Sequence, residues 1–171
     1  MVLLFRFIKT LIVTRLSRRI GPLEEGRVSM RVWPNDLDLN MHANSGRYIS
    51  FMDIGRVNLL VGMRIFRKVL RMGWRPLVGG SMTTYRRPLL PFERFTVRSR
   101  IVAWDEKWLY FEHIVENAKG EMAATSTVRG LMRGPKGNVA PGELLVVAGL
   151  NIESPPLPVH IAKWRDAEAR D

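Results

Sequence analysis

Asp36, Asp38, Asn40, His42 and Asn44 fall within nine residues of the run Asp36-Leu37-Asp38-Leu39-Asn40-Met41-His42-Ala43-Asn44-Ser45-Gly46-Arg47-Tyr48. The run stands just ahead of a long apolar-periodic segment, so it forms the turn entering a helix. Backbone N–H groups at a helix start lack internal partners and carry partial positive charge. A carboxylate beside such donors suits acyl chemistry. It can attack a carbonyl or activate a water, while the N–H groups take up charge on the carbonyl oxygen. The same residue types also cap helices and close turns, so capping and chemistry both remain open on composition alone.

The elements that must position this turn are legible on either side of it. Residues 27–33 alternate, with Val28, Met30 and Val32 set against Ser29, Arg31 and Trp33, and predict a strand ended by Pro34-Asn35. Residues 48–72 predict one helix, N-capped by Asn44 or Ser45 and stopped by Gly73. Its expected buried face holds Ile49, Met52, Val57, Leu60 and Met63, with Phe66 and Leu70 further on. Gly55 costs about 1 kcal/mol against Ala inside a helix, which points to close packing on a sheet. Past Pro76 the period becomes two. Strands are predicted over about 77–87, 95–104, 108–117 and 122–133, punctuated by Pro88, Pro91, Asp105-Glu106 and Lys119-Gly120. Phe95, Val97, Ser99, Ile101 and Ala103 alternate with Thr96, Arg98, Arg100 and Val102, as in an antiparallel sheet buried on one face. Strand, long helix, four strands predicts an α+β fold in which an antiparallel sheet wraps one long central helix. Residues 135–158 read as loop with an apolar patch at 144–150, and 159–169 as a short helix.

The order of the polar residues adds to this. Asp-x-Asp is followed by His four residues after the second Asp, Asn two beyond, and Tyr four beyond that. It resembles the signature of the hotdog-fold acyl-CoA thioesterases of the 4-hydroxybenzoyl-CoA thioesterase type, Asp-x-Asp-x-x-Gly-His-x-Asn-Asn-x-x-Tyr, with an acid and an Arg following on the helix. Asp53 and Arg56 stand at those two places. The subgroup containing thioesterase superfamily member six also reads Asp-Leu-Asp-Leu and lacks the Gly before His.

The resemblance implies a hotdog fold and hydrolysis of an acyl-CoA or acyl-carrier thioester. Asp38 falls where the family supplies its carboxylate, and the Ser45 backbone N–H where it supplies an oxyanion donor. Asp53 is the reserve carboxylate, because some relatives use a helix acid. His42 would orient the turn or the acyl carbonyl, Asn44 would shape the turn, and Asp36 reads as structural. Arg86 and Arg87, at a strand end, are candidates for coenzyme A phosphates. Relatives join sheets edge to edge and place sites at the junction, which implies a homodimer or dimer of dimers. Met41 replaces the family's Gly and Ser45 its Asn. These departures favour the alternative of a non-catalytic hotdog protein that binds acyl-CoA or lipid.

Length and composition bound the rest. The 171 residues make one folding unit with a core, and the absence of Cys excludes disulfides and thiolate chemistry. His42, His113 and His160 have no metal-ligand spacing, and no Gly-x-Ser-x-Gly elbow or phosphate loop occurs. No metal and no cofactor is expected, coenzyme A entering only as part of the substrate. His113, in mid-strand, reads as structural. The net charge of +11 favours an anionic partner. Arg64, Arg67, Lys68 and Arg71 form a basic stripe on the helix, read as a solvated face. Nucleic acid is disfavoured, because the aromatics are not interleaved with basic residues in a stacking motif.

Residues 1–20 hold five basic residues and no acid, with Leu4, Phe7, Ile8, Leu11 and Ile12 on one helical face. Arg6 and Lys9 interrupt the run, so it is too short and too charged to span a bilayer. An N-terminal basic amphipathic segment and linker over 1–26 is therefore expected, lying on the cytoplasmic face of an anionic membrane, ahead of a domain over 27–171. The competing reading is that this same face packs on the domain's own sheet or on a partner subunit.

Overall fold

A computed structural model describes residues 2–168; Ala169, which the sequence reading placed in the last helix, lies outside the described residues. The chain runs α1 (Val2–Leu16), β1 (Gly26–Arg31), a 3₁₀ turn (Pro34–Asp36), α2 (Ser45–Gly62) and α3 (Phe66–Arg71). Next come β2 (Arg75–Tyr85), β3 (Arg94–Trp104), β4 (Leu109–Glu116), β5 (Met122–Gly134), β6 (Gly137–Val139), α4 (Pro141–Val147) and α5 (Val159–Glu168). All strand pairs are antiparallel, in the order β1-β3-β4-β5-β2, with β6 paired to the end of β5. β1 and β2 flank the long helix in sequence and close opposite edges of the sheet. α2 crosses the face between them, as the sequence order requires.

The β3 alternation holds through Ile101: Phe95, Val97, Ser99 and Ile101 are buried, and the residues between them are half-buried or exposed. Ala103 is buried too, but past an irregularity in the pairing with β4 it packs with Tyr110 and Ile161 instead. Gly55 lets α2 lie against this face: a Cβ there would meet Ser99 Oγ at 2.2 Å and Val97 at 3.2 Å. The core has two main parts along α2. One, around Tyr48, Phe51, Met52, Leu89 and Phe95, supports the entry of the helix. The other, around Leu59, Leu60, Met63, Ile65, Trp74 and Phe111, lies at its far end.

Four expectations are corrected. The helix over 48–72 is two helices, because Arg64 takes a left-handed φ of 64° between α2 and α3. Arg64 is therefore no part of a solvated stripe. Its guanidinium donates to the carbonyls of Thr14, Arg15 and Ser17, at the end of α1. Ile49 and Leu70 are exposed rather than buried, since the sheet covers a narrower arc of the helix than the pattern suggests. The apolar patch at 144–150 is no loop: α4 packs Leu144, Leu145 and Ala148 into the core, and Lys68 donates to its Val147 carbonyl.

The fourth correction concerns α1. It docks on the domain, but not by the face that the competing reading assigned to docking. Arg6, Thr10 and Thr14 are its buried residues, spaced one helical turn apart. Leu4, Ile8 and Ile12 point outward, and Phe7 and Leu11 are half-buried. The polar face finds its partners far away in sequence, with Arg6 Nε and Asn58 Oδ1 left unbonded among the described residues. Arg6 donates to both carboxylate oxygens of Asp36 at 3.0 and 2.5 Å and to the Arg31 carbonyl. Asn58 Nδ2 donates to Thr14 Oγ1 at 2.7 Å.

Candidate functional site

Residues 36–44 form a short hairpin between β1 and α2. The Asn44 N–H donates to the Asp36 carbonyl, Leu37 bridges Ala43, and the Asp38 N–H donates to the His42 carbonyl at 2.8 Å. The Ala43 N–H donates to the Leu89 carbonyl, fixing the hairpin to the loop after β2. Asp36 anchors its base. This carboxylate is 1% exposed, is held by Arg6, and accepts from the Trp33 N–H at 2.9 Å. The sequence reading of Asp36 as structural matches this placement.

Asp38 occupies the other end of the hairpin and is half-buried. Its Oδ1 accepts from the N–H groups of Asn40 at 2.8 Å and His42 at 3.3 Å. Among the described residues its Oδ2 has no hydrogen-bond partner, and no cation pairs with the carboxylate. Asn44 is the N-cap of α2, its Oδ1 accepting from the Gly46 N–H at 2.9 Å. That leaves the Ser45 N–H, the first of the helix, without an acceptor among the described residues. The hairpin thus joins a carboxylate with one committed oxygen to the open amide of a helix start. His42 is half-buried and contributes its backbone carbonyl and N–H to the hairpin.

Met41 closes the hairpin with φ 56°, a conformation that favours glycine, and its side chain faces solvent. The family's Gly at this place is thereby explained, and Met adopts the same backbone at a cost of about 1–2 kcal/mol. Met41→Gly is expected to raise stability by about 0.5–1 kcal/mol, net of the added freedom of the unfolded chain. Urea midpoints read this directly; an unchanged or lowered midpoint would show that the strain at Met41 does not exceed the freedom Gly adds to the unfolded chain.

Tyr48 lies one turn into α2 and is buried against Phe51 and Tyr85. Burial pushes its hydroxyl up to about 12, so it stays protonated. Tyr85, ending β2, donates to the Ser45 carbonyl at 3.1 Å. The end of β2 therefore adjoins the start of α2, and Arg86 and Arg87 follow it, exposed, with Arg87 3.7 Å from Glu121.

Asp53 belongs to a second group. It is 56% exposed and pairs with Arg56 one turn on. Arg56 also donates to His113 Nε2 at 3.2 Å, and His113 Nδ1 meets Ser99 Oγ at 2.7 Å. A guanidinium only donates, so Nε2 is the acceptor and the Nδ1 proton goes to Ser99. Burial, with the Arg56 charge second, holds His113 well below its ordinary value; burial also lowers Arg56 to about 10. His113 is opposite Ser126 in register, and Ser126 Oγ meets Thr83 Oγ1 at 2.8 Å. Thus Ser99, His113, Ser126 and Thr83 make a polar row across β3, β4, β5 and β2. The sequence reading had His113 as structural and missed the row. Its only signal was a polar residue at an inward position in each of several strands.

Neutral His113 sets an acid dependence. The unfolded chain takes up a proton below about pH 6.5 that the folded chain refuses, so stability falls as pH drops through that value. We expect a loss approaching about 1.4 kcal/mol per pH unit between about pH 6.5 and 5.5. Stability that stays flat over this interval by urea titration would contradict a buried neutral His113.

The match to protein families decides the kinship. The model of the thioesterase-like superfamily matches residues 32–164, most of the chain. The chain belongs to that superfamily. Protein THEM6 from Xenopus laevis is 29% identical over 154 residues, covering 87% of this chain and 73% of that protein. Some other relatives are longer: the chain spans 29% of thioesterase poxG from Penicillium oxalicum. Among solved structures, the probable thioesterase YbaW from Escherichia coli superposes with TM-score 0.64 at 21% identity, covering 71% of this chain and 94% of that one. The expected hotdog fold is shown by this likeness together with the wrapped central helix.

Proposed function

We propose that the chain hydrolyses an acyl thioester of coenzyme A or an acyl-carrier protein to free acid and thiol. Asp38 acts as nucleophile or as base for water, and the Ser45 amide receives the developing oxyanion. The observation that carries this reading is the hairpin, which commits one Asp38 oxygen to backbone N–H groups, leaves the other without a partner among the described residues, and leads into α2, whose Ser45 N–H has no acceptor among them. Asp53 fits less well, because Arg56 already neutralises it. Arg86 and Arg87 would meet the coenzyme A phosphates, a reading supported by the Tyr85 bond that brings the end of β2 to Ser45. Release of free thiol from a panel of acyl-CoAs of graded chain length tests the reading. Absence of turnover on every chain length would sink it. Tight binding of a non-hydrolysable acyl-CoA without turnover would select the non-catalytic alternative, which the strained Met41 and the Ser45 substitution favour.

We further propose that the working form is a homodimer joined along β2. This strand is an open edge of eleven residues with Leu77, Val78, Met82 and Tyr85 exposed, an arrangement that invites pairing with another strand. Leu77→Lys with Met82→Lys is expected to give a monomer by light scattering, with activity lost. A dimer that survives both changes would place the interface elsewhere.

A further inference from the structure

The docking of α1 leaves an inverted amphipathic helix. Its polar side is fixed to the domain, and Phe5 (67% exposed), Leu4, Ile8, Ile12 and Leu16 (83% exposed) form an outward ridge. A monomer rarely exposes so many large apolar side chains together without a partner for them. On one flank of the ridge is a groove of about 470 Å³ between α1 and α2–α3, with Leu11, Phe66 and Leu70 in its lining and Arg15 and Arg67 at its rim. The other flank is a groove against β1 with Lys9, Arg31 and Arg94 in its lining. Among the described residues none of Lys9, Arg15, Arg31, Arg67 and Arg94 is paired with a carboxylate.

Charge is segregated in the same direction. Residues 1–23 and 54–92 hold thirteen of the 27 Lys and Arg and none of the 16 Asp and Glu. The remainder, with 14 basic against 16 acidic residues, is slightly acidic. α1, α3 and the end of α2 all come from the acid-free segments. No helix among the described residues is long and apolar enough to cross a membrane.

We propose that the α1–α3 face seats on the surface of an anionic lipid bilayer, with the α1 ridge inserted between headgroups and the flanking Arg and Lys on lipid phosphates. An apolar ridge bordered by unpaired cations matches an acyl layer bordered by phosphates, which no acidic protein surface would match as well. The helix does not have to leave the domain to bind. Arg6, Thr10 and Thr14 keep it docked while the opposite side enters the lipid. Docking and membrane contact, alternatives in the sequence, are compatible in the structure.

Co-sedimentation of the full chain with vesicles tests this. Vesicles of phosphatidylcholine alone are compared with vesicles of equal parts phosphatidylcholine and phosphatidylglycerol. Wild type is expected to partition onto the anionic vesicles and to be released by salt. Phe5→Ser with Ile8→Ser and Ile12→Ser should lower the partition coefficient about a hundredfold, with unchanged thermal unfolding because all three side chains are exposed. Arg15→Gln with Arg67→Gln should remove the preference for anionic over neutral vesicles. The proposal is overturned if wild type ignores both vesicle types, or if the triple variant sediments like wild type. It is also overturned if the triple variant changes only the oligomeric state by light scattering, because the ridge would then face a second copy of the chain.

Discussion

Replacing Asp38 by Asn is expected to lower kcat/KM for thioester hydrolysis by at least about a thousandfold, the scale of losing a positioned base or nucleophile. That corresponds to about 4 kcal/mol of transition-state stabilisation. The substitution separates chemistry from architecture. An Asn Oδ1 can accept the same bonds from the Asn40 and His42 N–H groups that Asp38 accepts now, so the hairpin keeps its shape. What is lost is the charge and basicity at the open oxygen. Substrate binding, followed with a non-hydrolysable acyl-CoA, should change little. Asp53→Asn should have a smaller effect, since Asp53 is exposed and already paired with Arg56. If Asp53→Asn abolishes turnover while Asp38→Asn leaves it within tenfold, the catalytic carboxylate is on the helix and the hairpin only shapes the cleft.

The second large effect is expected on stability. Arg6→Met should cost about 3–5 kcal/mol, because it leaves the Asp36 carboxylate buried with its main partner gone. Arg47 is too far to replace it fully, at 3.8 Å and with its own side chain partly in solvent. Lys at position 6 should rescue only part of the loss, since one ammonium cannot reproduce two parallel bonds to a carboxylate. Asp36→Asn in the Arg6→Met background should recover stability, because the unpaired charge is removed. Chemical denaturation of wild type, Arg6→Met, Asp36→Asn and the double variant closes the cycle. Equal midpoints for wild type and Arg6→Met would mean that α1 is not docked through this pair. Asp36 is the base of the hairpin carrying Asp38, so Arg6→Met should also weaken turnover.

Much of the fold was legible because its signals are local. The inward set of β3, the N-cap at Asn44, the stop at Gly73 with φ 67° and the close approach at Gly55 each follow from a residue and its neighbours. The features missed depend on partners far along the chain. Nothing near Arg6 indicates that it will be buried; its acceptor is thirty residues away. The break at Arg64 looks like uninterrupted helix in sequence, and is favoured by three carbonyls of α1 nearly fifty residues earlier. An apolar stripe likewise says that a face avoids water without saying what covers it, so Leu4, Ile8 and Ile12 could be grouped correctly while the docking side made by Arg6, Thr10 and Thr14 went unseen. For the site, the motif located the hairpin and Asp38. It could not show that His113, read alone, belongs to a row of four polar residues on four strands.

The links between α1 and later residues also set an order of events during synthesis. α1 precedes every element it docks against. Arg6 cannot meet Asp36, nor Thr14 meet Asn58, nor the end of α1 meet Arg64, until those residues have left the ribosome. β1 waits longer, for β3, and β2 waits for β5, since neither edge strand pairs with its neighbour in sequence. At about 5–20 residues per second, the basic, apolar α1 is exposed on both faces for several seconds of elongation. The nascent chain thus offers lipid or a chaperone the same outward ridge, widened by Phe7 and Leu11, and offers it before the rest of the domain exists.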